Sequence, residues 1–332
     1  MLLILIGLAA SGCQRGQTVT RTDFALDTVV NITLYHQEDD TALNAAFTEL
    51  RRLDKLLSAY DPDSEISAVN AAAGQTPVKV SRETLEVVQL GLDYGVKTGG
   101  AFDISIGPLV ELWGIGKTNT IPDQAAIEAA KTLVDYTKVQ VDAENSTLYL
   151  EMQGMALNLG AVAKGYIGQR LKDFLETQGV TSGLINLGGN VVSIGDKDGA
   201  PFGVGVEDPD DTKQTLGALS LSDGAAVTSG DYQRYFTGPD GRRYHHILDP
   251  RTGYPAASGL RQVTIVAEDS AEADVLSTAC FILGEKAGRG LIEGTSAREA
   301  IFVTDDHRII DVGQSPCFQF DASRENYRMD MQ

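Results

Sequence analysis

Asp274 and Thr278 lie four residues apart in Glu272-Ala-Asp-Val-Leu-Ser-Thr-Ala-Cys-Phe-Ile-Leu283. On a helix, positions i and i+4 share a face, so a carboxylate and a hydroxyl would point at one spot. Both are hard oxygen donors of the kind Mg²⁺ takes alongside substrate phosphates. Upstream lies a compact polar block, His245-His-Ile-Leu-Asp-Pro-Arg-Thr-Gly253. Together the segments suggest a metal-assisted phosphate site with a histidine close by. Taken alone, the first segment reads equally as an ordinary amphipathic helix with Asp near its N-terminus.

Other segments point the same way. Asn158-Leu-Gly-Ala-Val-Ala-Lys-Gly165 places Lys164 among small residues at the start of a helix. Small residues permit close backbone approach, a helix N-terminus favours anions, and Lys supplies a point charge. A surface Lys on a tightly packed turn is the alternative. Asn186-Leu-Gly-Gly-Asn190 reads as a strand end that a ligand could approach, or as a bulge. Tyr60, in Ser58-Ala-Tyr-Asp-Pro62, is a stacking aromatic or a packing one. His36 and His307 read as structural or solvated, whereas His246 stands between a β-like run and a tight turn. Gly114-Ile-Gly-Lys-Thr118 is no P-loop: the glycine that motif needs is replaced by Glu111, whose charge would oppose phosphate. No GxGxxG follows a strand, which argues against a Rossmann site.

The elements that must carry these residues follow from periodicity. Thr20 to Tyr35 alternates as strands, and Asp40 to Ser58 has helical spacing through Leu43, Phe47, Leu50, Leu53 and Leu57. Ser81 opens a helix running to Lys97 and ending at Gly99-Gly100. Ala125 to Val134 and Gly160 to Gly179 are helical. Lys138–Asp142 and Thr147–Glu151 form a hairpin, and Gly183–Asn186 is a strand. Thereafter short strands with turn signals dominate. The helix bearing Asp274 follows strand Gln262–Val266 and is capped by Asp269 or Ser270. Ala300–Val303 and Arg308–Val312 form a closing hairpin. The mixture indicates α+β rather than a doubly wound sheet. It reads as one catalytic domain, in one lobe or in two.

The chain has 332 residues, 27 basic and 46 acidic, for a net charge of −19. So acidic a surface repels nucleic acid and anionic lipid headgroups. An anionic substrate then needs local positive charge or a bound cation. Residues 1–12 read as a signal peptide, too short to span a bilayer, and Ala10-Ser-Gly-Cys13 is similar to a bacterial lipoprotein box. Cys13 would be lipidated and lead a linker over 13–22, with the domain over 23–332. Acyl chains there would hold the protein to a membrane surface without spanning it. Cys280 reads as a small buried hydrophobe, and whether it pairs with Cys317 is open.

Taken jointly, the blocks resemble the ApbE family of periplasmic flavin transferases, from about Asp23 to Cys317. They are Leu26-Asp-Thr28, Leu57-Ser-Ala-Tyr-Asp-Pro-Asp-Ser-Glu-Ile66, Gly99-Gly-Ala-Phe-Asp-Ile104, Leu159-Gly-Ala-Val-Ala-Lys-Gly-Tyr166, Ile185-Asn-Leu-Gly-Gly-Asn190, Thr228-Ser-Gly-Asp-Tyr232, His246-Ile-Leu-Asp-Pro-Arg-Thr-Gly253 and Ala273-Asp-Val-Leu-Ser-Thr278. The resemblance implies an FAD:protein FMN transferase, which splits the FAD pyrophosphate, releases AMP and links FMN to a Thr or Ser of an acceptor. It also implies mixed, largely antiparallel sheets with packed helices, and FAD in a cleft between lobes.

By position, Tyr60 would stack on the flavin or adenine. Ala101, Phe102, Asp103, Asn158, Lys164 and Leu248 would line the FAD site, with Leu26 at its edge. Mg²⁺ would take the Ala161 carbonyl and the side chains of Asp274 and Thr278, with Ser277 adjacent. Asn158 stands where Asp is usual, and Leu26-Asp27 replaces a common Met-Gly. His246 would accept the acceptor proton and Lys164 would offset phosphate charge. FAD hydrolysis to FMN and AMP is the nearest alternative, and a non-catalytic FAD-binding lipoprotein the more distant one. By family, acceptors are flavoprotein subunits of membrane electron-transport complexes, of the sodium-pumping NADH:quinone reductase or Rnf type. The expected location is the periplasmic side of a bacterial membrane.

Overall fold

The computed structural model describes residues 16–313 and 317–330. The chain opens with strands β1 (Gln17–Ala25) and β2 (Thr28–Gln37). Helices α1 (Thr41–Leu57) and α2 (Glu65–Ala71) follow, then β3 (Val78–Lys79), α3 (Arg82–Lys97), α4 (Gly107–Trp113) and α5 (Gln124–Lys131). Strands β4 (Val139–Asp142) and β5 (Thr147–Leu150) lead to α6 (Ala163–Thr177), β6 (Ser182–Leu187) and β7 (Asn190–Gly195). Next come β8 (Phe202–Glu207), β9 (Thr215–Leu221), β10 (Ala225–Gly230), β11 (Tyr235–Thr237) and β12 (Arg243–His245). The last part holds β13 (Leu248–Asp249), β14 (Tyr254–Pro255), β15 (Leu260–Ala267), α7 (Ser270–Leu283), α8 (Glu285–Ile292), β16 (Ala297–Thr304), β17 (Arg308–Gly313), β18 (Phe318–Phe320) and β19 (Arg328–Asp330).

Nine strands form one sheet in the order β1-β2-β6-β7-β10-β15-β16-β17-β19. Its pairs are antiparallel except β17 with β19. The fold is α+β, as the mixture of periods indicates. Strand alternation feeds two cores from the central strands. Val263, Ile265, Val227 and Phe302 join the main core with α1, α3, α6 and α7. Their neighbours Val266, Ala226, Ile301 and Val303 join a second cluster beneath the small sheet β18-β9-β8. A strand buried on both faces shows a continuous apolar run instead of alternation.

The helices form where their apolar stripes require. Leu43, Phe47, Leu50, Leu53 and Leu57 of α1 are buried in the main core. Ser81 caps α3 by accepting from the Thr84 amide, and Asp269 caps α7 by accepting from the Glu272 amide.

Several expectations change. Of the linker expected over 13–22, Gln17–Thr22 belong to β1, paired with β2. This edge strand has little to bury, so its polar threonines hide it; Cys13 lies outside the described residues. The helix expected over Ala125–Val134 stops at Lys131. The β16–β17 hairpin does not close the fold, since β18 joins β9 and β19 joins β17. Cys280 is buried as expected, and both Cys280 and Cys317 are free thiols.

Candidate active site

Helix α6 starts without a side-chain cap of its own at Val162. Its need is met from outside: the Gly165 amide donates to Asp274 Oδ2 at 2.8 Å. A carboxylate at a helix N-terminus is favoured by both the free amide and the helix dipole. Only glycine allows this approach, because a Cβ at 165 would lie 2.2 Å from the Ser270 carbonyl oxygen and 2.5 Å from Asp274 Cβ. Helical continuation would send the Gly165 amide to the Ala161 carbonyl; among the described residues no backbone amide pairs with that carbonyl.

Asp274 is 2% exposed. Its Oδ1 lies 3.8 Å from Lys164 Nζ, which also donates to the Gly160 carbonyl at 3.4 Å. One turn along α7, Thr278 Oγ1 and Ser277 Oγ meet Ser229 Oγ of β10 at 3.1 and 2.8 Å. Ser277 also donates back to the Asp274 carbonyl, so it braces the turn. Alternation puts Asn190 on the same face as Ser229, and among the described residues its buried Nδ2 has no hydrogen-bond partner. Oxygen donors from Ala161, Asp274 and Thr278 suit a hard divalent cation such as Mg²⁺. Among the described residues no cluster of three or more His, Cys, Asp or Glu competes as a softer or more anionic metal site.

Around this centre the remaining residues form a connected rim. The Asn158 amide donates to the Ile104 carbonyl, tying it to the Ala101–Asp103 loop. Asn158 Oδ1 accepts from the Gly160 amide at 2.9 Å, and its Nδ2 reaches the Tyr60 hydroxyl at 3.4 Å. Tyr60 is 58% exposed, with Lys117 Nζ 4.3 Å from its ring centroid. That geometry is a cation–π contact. On the far side, His246 Nδ1 approaches the Arg234 carbonyl at 3.3 Å, and Arg234 donates to the Asp27 carbonyl at 2.8 Å. Gly188 permits the turn beside it, since a Cβ there would strike Thr28 Oγ1. Leu26, in the left-handed conformation, gives its amide to Asp54.

A carbonyl partner assigns the proton to His246 Nδ1 and leaves Nε2 as an acceptor. Desolvation, then the nearby His245 and the positive charge of Lys164, hold the pKa of His246 below the ordinary imidazole value. The ring is therefore neutral near pH 7, as a base must be.

Not every expected residue presents its side chain. Asp103 gives its carboxylate to the Ser105 amide and hydroxyl and the Tyr136 amide, so it shapes its loop; burial raises its pKa. Ala101 and Phe102 are buried in the main core, and Leu248 packs in a third cluster with Leu109 and Trp113. These could meet a ligand through main chain. Ser229, Arg234 and Lys117 were not expected as site residues. Ser229 and Lys117 stood within quoted motifs, but their partners are remote in sequence.

The profile of the ApbE family matches residues 26–302, which spans every one of these side chains. The chain belongs to the ApbE family. Among relatives, the FAD:protein FMN transferase of Klebsiella pneumoniae (strain 342) is 38% identical, over 83% of this chain and 86% of that one. The FAD:protein FMN transferase of Treponema pallidum (strain Nichols) is 35% identical, over 93% and 91%. The crystal structure of the ApbE protein from Thermotoga maritima superposes with TM-score 0.81 at 32% identity, covering 94% of this chain and 99% of that one. The flavin transferase ApbE from Vibrio cholerae gives 0.79 at 26% identity, with the same coverage.

Proposed function

We propose that this protein transfers FMN from FAD to a Thr or Ser hydroxyl of an acceptor protein, releasing AMP. One observation carries the reading: the Arg234 carbonyl holds His246 Nδ1 at 3.3 Å, which leaves Nε2 as an acceptor, and the charge of Lys164 acts on the same ring. That pairs a base for a hydroxyl with a cation for a phosphate. His246 takes the hydroxyl proton at Nε2 while the hydroxyl oxygen bonds to the FMN phosphorus. The bond from that phosphorus to the bridging oxygen breaks, and the oxygen leaves on AMP. Lys164 faces the increasing charge on the phosphates. Tyr60, open on one face, stacks on an aromatic ring of FAD, and Asn158 holds the Tyr60 hydroxyl. Asp274, Thr278 and the Ala161 carbonyl would hold Mg²⁺, which when bound offsets phosphoryl charge.

The names borne by the relatives support this reading. The test is coexpression with a candidate acceptor and mass spectrometry for covalently added FMN. Flavoprotein subunits of the sodium-pumping NADH:quinone reductase or Rnf type are the acceptors to try first. No added FMN on any acceptor, with steady AMP release from FAD alone, would assign hydrolysis instead. The Ala10-Ser-Gly-Cys13 box supports a lipid anchor on the periplasmic side of a membrane. Cys13→Ser should then move the protein from the membrane to the soluble fraction. Among the described residues no helix is long and apolar enough to cross a membrane.

A further inference from the structure

On the face of the nine-stranded sheet opposite Ser229 runs a groove of about 300 Å³ that the chemistry above does not use. The large sheet contributes alternate residues to it: Asn31 and Thr33 from β2, Leu184 and Asn186 from β6, Ala226 and Thr228 from β10. Alternate residues are what one face of a strand presents. Strand β8 behaves differently, lining the groove with five consecutive residues, Gly203 to Glu207. Consecutive residues can line one wall only if a strand shows its edge. β8 is the terminal strand of its sheet, paired with β9 on one side. Its other side therefore offers backbone amides and carbonyls to a partner.

The chemistry of the walls selects the partner. Among the described residues that line the groove, Glu207 is the one charged side chain and none is Lys or Arg. A phosphate-bearing ligand is poorly served there. Amides and hydroxyls of Asn31, Thr33, Asn186 and Thr228, beside a free strand edge, suit an extended peptide. Two lining residues are chain neighbours of segments that carry the candidate site. Gln233 precedes the Arg234 whose carbonyl holds His246, and Gly189 follows the Gly188 that abuts Thr28.

We infer that this groove seats the acceptor's hydroxyl-bearing segment as an added strand against β8 and delivers its Thr or Ser to His246. The inference rests on the transferase reading and locates its protein substrate. A Cβ at Gly203 meets nothing within 4 Å, so Gly203→Trp should fold while its ring fills the groove.

The probe is the acceptor subunit that receives FMN in the coexpression assay. Gly203→Trp should raise the KM for that acceptor at least about tenfold, with FAD binding unchanged, and Gly203→Ala should not. In the unmodified protein, added acceptor should slow hydrogen exchange at the amides of β8, a measurement that needs no variant. An unchanged acceptor KM in a folded Gly203→Trp protein, or unprotected β8 amides at saturating acceptor, overturns the groove and leaves the transferase reading intact. Absence of FMN transfer by the unmodified protein overturns both.

Discussion

Gly165 and Asp274 are joined amide to carboxylate at 2.8 Å, and this contact sets the α6–α7 approach at which Lys164, Asp274 and Thr278 converge. The carboxylate caps α6 from outside, and in the proposed reading it would also serve as an oxygen donor to Mg²⁺.

Substitution can separate those duties. Asp274→Asn keeps an oxygen acceptor for the Gly165 amide and removes the charge a cation needs. Its melting temperature should stay near that of the parent while FMN transfer falls by about 10³-fold, the order of a lost electrostatic contact to the reacting phosphate. Gly165→Ala should do the reverse at first, costing about 1–3 kcal/mol by forcing the helices apart. Thermal unfolding and a transfer assay across a Mg²⁺ titration would check both. Full activity of Asp274→Asn in chelator would remove the metal from the account.

His246→Ala should lower transfer by about 10²–10⁴-fold while FAD still binds, as for loss of a general base. The pH dependence carries a sign. A histidine whose pKa is held down stays neutral to a lower pH than free imidazole, near 6.5. The acid limb of kcat/KM should therefore fall below that value. Lys164 is one of the charges that depress the ring. Lys164→Gln should reduce activity and also move the acid limb upward. An acid limb that stays in place would separate Lys164 from His246.

Local spacing made much of this legible. The i, i+4 pair on α7, the Asp269 cap and the small residues around Lys164 could be read without a partner element. What escaped is long-range by nature. Ser229 matters because β10 packs its face on α7, and Lys117 because its loop folds over Tyr60. The motif around Asp103 is legible, but not that its carboxylate is taken up by Ser105 and by the Tyr136 amide far along the chain. The start of strand β1 is not legible because a polar edge strand lacks the apolar alternation that reveals a strand.

The exposed ring of Tyr60 offers a second test of the substrate. Base stacking on an aromatic side chain contributes about 1–3 kcal/mol. Tyr60→Ala should then weaken FAD binding by about 10- to 100-fold, and Tyr60→Phe, which keeps the ring, should cost much less. Lys117→Gln removes the cation over the other face of that ring and should have an intermediate effect. Equal FAD affinity in all three variants, read by flavin fluorescence, would take Tyr60 out of the site.

Far from the site, buried Glu299 and half-buried Asp311 form an acid pair whose titration should bear on stability. Glu299 of β16 is fully buried and accepts from the Cys317 amide at 2.8 Å, the Cys317 thiol at 2.7 Å and the Phe318 amide at 3.1 Å. It thereby ties β18 to the large sheet. Asp311 of β17 faces it, and desolvation followed by the Glu299 charge raises the Asp311 pKa to about 7. A carboxyl raised in the fold favours the protonated form, so its stabilising share is full below the unfolded value of about 4 and fades as pH rises toward 7. Asp311→Asn copies the protonated state at every pH. It should match the parent at pH 4 and exceed its melting temperature at pH 8 by a few degrees, about 3 °C. Thermal unfolding of both proteins at the two pH values checks this, and a constant difference between them would mean that Asp311 is ionised throughout.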